Sequence, residues 1–89
     1  MWQPVFTNRF GKDVKRMVKR GHNTANIKTV IKELIDGKIL DQKYRDHALI
    51  GNFKDRRECH ISSDWLLIYR IENPHIIFER TGTHADLFR

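Results

Sequence analysis

Apolar positions in the first third of the chain recur with helical spacing. Phe10, Val14, Met17 and Val18 fall at i, i+4, i+7 and i+8, one stripe of an amphipathic helix. Thr7 or Asn8 offers an N-cap and Gly21 a stop. Ile27, Val30, Ile31, Leu34 and Ile35 repeat the spacing between a start near Asn23 or Thr24 and a stop at Gly37. The short break between the two segments predicts an antiparallel helical hairpin with both stripes facing one layer. Ahead of it, the first seven residues suit a short strand that Pro4 confines to an edge.

The period then changes from 3.6 to 2. A strand is expected from about Ala48 to Phe53, with Gly51 marking a bulge or close approach, and Lys54-Asp55-Arg56 as a turn. Arg57 to Ile61 alternates, which places Glu58 and His60 on one face and Cys59 and Ile61 on the other. After a turn at Ser62-Ser63-Asp64, the run Trp65 to Ile71 is almost wholly apolar, as a central strand requires, and Asn73-Pro74 breaks it. Ile76 to Arg80 is the last strand. Thr81-Gly82-Thr83 is a turn, and Thr83 caps a final helical turn from His84 to Phe88. The sum is a single α+β domain over residues 1–89, a helical hairpin on one face of an antiparallel sheet, with the other face open.

Length narrows the options further. Eighty-nine residues leave no room for two lobes around a large cofactor. There is no GxGxxG and no Walker-type loop. Cys59 is the lone cysteine, so an intrachain disulfide is excluded and a reducing cytoplasm is the natural setting. By alternation it reads as a small buried hydrophobe. Cys59-His60 stands without any CxxC or HxxxH, so neither a metal site nor any other cofactor is expected. No apolar run approaches the roughly 20 residues that span a bilayer, and the N-terminus lacks a signal-peptide core.

The net charge of +6 is unevenly spread. Residues 1–46 hold eleven Lys/Arg against five Asp/Glu, whereas residues 47–89 hold six of each. Lys12, Lys15, Arg16 and Lys19 lie mostly off the apolar stripe of the first helix and suit RNA or an acidic protein. A merely solvated helix surface explains the same pattern.

Four of the five histidines, His47, His60, His75 and His84, lie in the second half. On the open face and its rim the strand pattern gathers His47, Glu58, His60, Asp64, Arg80 and His84. Cleavage of RNA by its own 2′-hydroxyl needs a base, an acid for the leaving 5′-oxygen, and a cation over the phosphate. Histidine fills either proton-transfer role near neutrality, and Arg80 offers donors to phosphoryl oxygens. Trp65 or Phe88 offers a surface on which a base can stack. The bland readings stand beside these. An isolated histidine is usually structural, a tryptophan opening an apolar strand is more often core, and Glu58 or Asp64 can simply pair with Arg57 or Arg80.

The blocks Asp46-His47-x-Leu49-x-Gly51, Asp64-Trp65-x-Leu67-Ile68-Tyr69 and Phe78-Glu79-Arg80-Thr81-Gly82-Thr83-His84-x-x-Leu87-Phe88 are specific in combination and order. With them the chain resembles the YafQ-type toxins of the RelE/ParE superfamily. The resemblance spans the whole chain and is strongest from Tyr44 to Arg89. It implies a cytoplasmic, type II toxin that cuts mRNA in the A site of the 70S ribosome without a metal and is held inactive by a cognate antitoxin. It carries the family's active-site set onto His47, His60, Asp64, Arg80 and His84, with Phe88 as an aromatic near the cleft. His84 is the first choice for general acid; His47, His60 and Asp64 compete as base. Glu58 departs from the pattern, since the family often carries Asp there. Two other classes remain: a ParE-like inhibitor of a topoisomerase, which needs no such set, and a non-catalytic ribosome- or RNA-binding module, which needs only the basic half.

Overall fold

In the computed structural model, which describes residues 1–88, the chain begins with β1 (Gln3–Phe6), α1 (Asn8–Lys19) and α2 (Ala25–Ile35). A 3₁₀ turn over Gln42–Tyr44, β2 (His47–Ala48) and a second 3₁₀ turn over Gly51–Phe53 follow. The chain ends with β3 (Arg57–Ser62), β4 (Trp65–Glu72), β5 (His75–Gly82) and α3 (His84–Leu87). The strands form one sheet in the order β1-β5-β4-β3-β2.

The helices start and stop as their signals direct. The Thr7 hydroxyl accepts from the Phe10 backbone at 3.0 Å and itself donates to the Glu79 carbonyl at 2.9 Å, so one side chain caps α1 and ties it to β5. For α2 the cap comes from Asn23, whose side-chain oxygen accepts from the Ala25 N–H at 2.8 Å. Gly21 follows α1 with φ +91°, where a glycine escapes the Cβ penalty.

Phe10 and Met17 of α1 and Ile27, Val30 and Leu34 of α2 enter one core with Cys59, Ile61, Trp65, Leu67, Tyr69, Ile76 and Phe78. Both helices thus cover the same sheet face, α1 over β5 and α2 beside β3. They do not close on each other. An apolar groove of about 380 Å³, lined by Phe10, Val14, Ile27, Ile31 and Ile35 among others, runs between them. The expected hairpin is therefore a pair splayed across the sheet.

Several expectations are corrected. The sheet is mixed rather than antiparallel, because β1 pairs with β5 in parallel, Gln3 opposite His75 through Phe6 opposite Phe78. The strand expected over Ala48–Phe53 shrinks to His47–Ala48, and Gly51 at φ +70° turns the chain into the second 3₁₀ turn. Leu49 and Phe53 are apolar for another reason: they pack against a small second core of Leu66, Ile68 and Leu87. The face opposite the helices is thus partly covered. At the other end, β5 continues through Thr81 and Gly82, so the turn begins only at Thr83. Among the described residues no helix is long and apolar enough to cross a membrane.

Candidate active site

Strand register assembles the site. Cross-strand partners share a face, and pairing runs His47–Glu58, Glu58–Ile68 and Ile68–Arg80 across four strands. The next row along is His60–Leu66–Gly82. Ile68 and Leu66 belong to the second core, so both rows face away from α1 and α2. His84 follows Gly82 by two residues, at the start of α3. Here Thr83 and Asp86 cap each other: the Thr83 N–H donates to Asp86 at 2.9 Å and the Asp86 N–H to the Thr83 hydroxyl at 3.2 Å. A side chain at Gly82 would put its Cβ 2.9 Å from an Asp86 carboxylate oxygen, which is why a glycine sits there.

The result is an arc of three imidazoles. Ring centroids of His47 and His60 are 6.4 Å apart, and those of His60 and His84 are 6.1 Å apart. Glu58 is buried between the first two, its Oε2 3.3 Å from His47 Nε2 and 3.5 Å from His60 Nε2. His47 Nδ1 donates to the Arg45 carbonyl at 2.6 Å, which fixes the ring with Nε2 toward Glu58. His84 Nδ1 lies 3.0 Å from Asp64 Oδ1, and the His84 backbone N–H donates to the same oxygen at 3.3 Å. The His84 side-chain and backbone bonds, in that order, hold the Asp64 carboxyl below the usual carboxylate range. Asp64 is thus an ionised group that orients His84, a poor base and a good anchor. Phe88 extends the arc, 6.0 Å from His84 and edge-on to Phe53 at 5.1 Å.

Arg80 reaches this face but is not free. Its Nε donates to Asp13 Oδ2 at 2.7 Å and its Nη2 to Asp13 Oδ1 at 3.3 Å, while Nη1 has no partner among the described residues. The guanidinium lines a recess with Arg9, Phe53, Ile68 and Leu87. Asp13 also accepts from the Thr81 N–H at 3.1 Å and from Arg16 at 2.9 Å. Asp13 was not among the sequence candidates, although its signal is legible: an acid between Phe10 and Met17 on an apolar stripe.

Two other expectations are revised. Trp65 cannot stack on a base, because it is 2% exposed inside the helix-side core and its indole N–H donates to Thr81 at 2.8 Å. The cations Lys12, Lys15 and Lys19 are exposed on α1, and Arg16 is half-buried against Asp13 and Asp86. Cys59 is fully buried, and burial raises its thiol well above the ordinary value, as an inert core residue requires. Among the described residues no group of three or more His, Cys, Asp or Glu side chains is placed to hold a metal ion.

A sequence profile of the bacterial toxin YafQ of type II toxin–antitoxin systems matches residues 2–89. The chain belongs to the YafQ toxin family. The mRNA interferase toxin YafQ of Escherichia coli K12 is 39% identical to it over 84 residues, 93% of this chain and 91% of that protein. The crystal structure of YafQ from E. coli BL21(DE3) matches with a TM-score of 0.95 at 36% identity, covering 100% of both chains. YafQ in the E. coli DinJ–YafQ toxin–antitoxin complex gives 0.92 at 37%, covering 99% of this chain and 98% of that one. A copper-bound mutant toxin from Helicobacter pylori gives 0.94 at 34%, covering 99% and 100%. The α+β architecture of the family is therefore the architecture of this chain.

Proposed function

We propose that the protein is an mRNA interferase that cuts mRNA in the A site of the 70S ribosome and is silenced by a cognate antitoxin. Membership of a toxin family, with a curated relative that is an mRNA interferase and another structure solved with its antitoxin, supports the outline. The observation that carries the chemistry is the arc itself: the rings of His60 and His84 lie edge-on, 6.1 Å apart between centroids, and each is backed by a carboxylate, so both can reach one phosphate laid against them.

His60 takes the proton of the 2′-hydroxyl. The O2′ attacks phosphorus, the P–O5′ bond breaks, and His84 gives its proton to the departing O5′. The products are a 2′,3′-cyclic phosphate and a 5′-hydroxyl, and the two imidazoles finish in exchanged protonation states. Glu58 stabilises the imidazolium that forms on His60 and positions His47 beside it. Arg80, through Nη1, faces the charge that develops on the phosphoryl oxygens. Phe88 is the exposed aromatic on which a base stacks. Lys12, Lys15 and Lys19 supply sequence-independent attraction to ribosomal RNA from the exposed surface of α1.

The test is 5′-end mapping of a defined mRNA incubated with the protein, with and without ribosomes. Cutting within codons only when ribosomes are present, with cyclic-phosphate ends, is expected. Equal cutting of naked mRNA would remove the ribosome from the reading. No cutting alongside inhibition of a topoisomerase would replace it with the ParE-like one, for which the histidine arc has no use.

A further inference from the structure

A second polar cleft opens on the far side of His60, and nothing in the proposed chemistry uses it. Its volume is about 500 Å³, within the range that binding sites occupy. It is lined by Asn26 of α2, by Lys43, Tyr44 and Arg45 of the first 3₁₀ turn and its exit, and by His60, Ile61, Ser62 and Ser63 at the end of β3. Its cause lies in the sheet. Strand β2 pairs with β3 only at Glu58 and Arg57, so the edge of β3 beyond them carries no strand, and the 3₁₀ turn packs there instead.

Three features give the cleft a chemistry. No acidic residue lines it. Its two cations, Lys43 and Arg45, form no ion pair with a described residue, whereas Arg16, Arg20, Arg56, Arg57, Arg70 and Arg80 are all bound to carboxylates. The remaining lining groups, Asn26, Ser62 and Ser63, are exposed amides and hydroxyls that can both donate and accept. Arg45 also adopts a left-handed conformation, φ 50°, that a non-glycine residue holds only at a cost. That conformation lets its carbonyl take the His47 Nδ1–H while its side chain lines the cleft.

Resting on the nuclease reading above, we propose that this cleft is a substrate subsite: it holds the mRNA strand next to the scissile phosphate, with Lys43 and Arg45 on a backbone phosphate and Asn26, Ser62 and Ser63 on the sugar or base edge. His60 belongs to both the cleft and the histidine arc, so a strand that seats a phosphate against His60 and His84 continues into it. The mRNA is favoured over ribosomal RNA as occupant because the cleft shares His60 with the reacting groups and is lined by no residue of α1.

The test compares wild type with the Lys43→Gln/Arg45→Gln double variant, which leaves the Arg45 carbonyl in place. One arm measures equilibrium binding of a short single-stranded RNA blocked by a 2′-O-methyl group at the cut position, across a salt series. The other measures co-sedimentation with ribosomes that carry no mRNA. Affinity for the blocked RNA is expected to fall on the order of tenfold, with the salt slope reduced by about 0.7, the value for one phosphate of a single strand. Co-sedimentation is expected to be unchanged. Unaltered RNA affinity and slope, or a wild type that does not bind the blocked RNA, would overturn the proposal. So would a loss confined to empty ribosomes, which would make the cleft a ribosomal RNA contact. If wild type binds the blocked RNA through Lys43 and Arg45 yet cuts no mRNA on ribosomes, the nuclease reading fails and the cleft survives it.

Discussion

Replacing Asp13 by Asn tests whether the buried carboxylate on α1 holds the face of the candidate site in register. The substitution keeps size and shape. Each carboxylate oxygen takes two donors, Oδ2 from Arg80 Nε and the Thr81 N–H, Oδ1 from the Nη2 groups of Arg80 and Arg16. Whichever oxygen becomes an amide NH₂ therefore opposes two N–H groups. The Asp13 side chain is 4% exposed and that of Arg80 20%. Breaking a buried pair from one side costs about 3–5 kcal/mol; the partial exposure of Arg80 places this one near the lower end, about 3 kcal/mol. A domain of this length has roughly 4–13 kcal/mol in total, so the loss is a substantial fraction. At about 4–8 °C per kcal/mol, Tm should fall by about 12–24 °C. Thermal and urea unfolding followed by circular dichroism measure it. Arg16→Gln is the reference, since its pair with Asp13 is half in solvent and worth under about 1 kcal/mol. A double-mutant cycle with Arg80→Gln should recover most of the Asp13→Asn loss as coupling. A total loss below about 1 kcal/mol, or no coupling to Arg80, would refute the claim that Asp13 anchors Arg80.

Three further outcomes follow from the site. His84→Ala should lower single-turnover cleavage on saturating ribosomes by about 10²–10⁴-fold, while His75→Ala, at the start of β5 and outside the arc, should cut nearly normally; equal rates would take His84 out of the chemical step. The Asp64 carboxyl should titrate below the usual range by NMR and return toward it in His84→Ala, because the bond to His84 is the main cause of its depression. The sign is that of a lowered carboxylate: this contact supports the fold above the unfolded-state value and stops doing so as pH falls through the folded one. Cleavage should persist when chelators that spare ribosomal Mg²⁺ remove trace copper and zinc; loss that only added metal restores would contradict proton transfer by bare imidazoles.

Much of the fold was legible where one pattern had one physical meaning. The stripes of α1 and α2 could be buried only as helices, and the apolar run of β4 suits a central strand, with Trp65, Leu67 and Tyr69 in the helix-side core; the cover over Leu66 and Ile68 on the other face, expected open, was not legible. The direction of β1 was not legible, since four residues carry no record of which neighbour they pair with. The strand expected over Ala48–Phe53 failed because Leu49 and Phe53 are apolar for packing under α3, a reason that alternation cannot tell from strand burial. Trp65 was drawn toward RNA by its type, although its alternation with Leu66 already put it on the helix side.

Arg80 shows how a candidate residue can be placed by something the sequence hides. Phe78 faces the helices, so strict alternation along β5 would turn Arg80 toward them as well. The register prevents this: Tyr69 opposes Phe78 and Ile68 opposes Arg80, which leaves Glu79 as the extra residue of a bulge. The bulge is pinned from three directions. The Glu79 carboxylate takes Arg70 at 2.8 Å and also Arg56, and its carbonyl accepts the hydroxyl of Thr7, the residue that caps α1. One residue of slip thus carries Arg80 from the core face to the face of Glu58, His60 and Ile68. The same polar contacts bring the N-terminus of α1, and with it Asp13, within reach of the guanidinium. The face of the candidate site depends on that slip as much as on the histidines, and no count of hydrophobic positions along β5 records it.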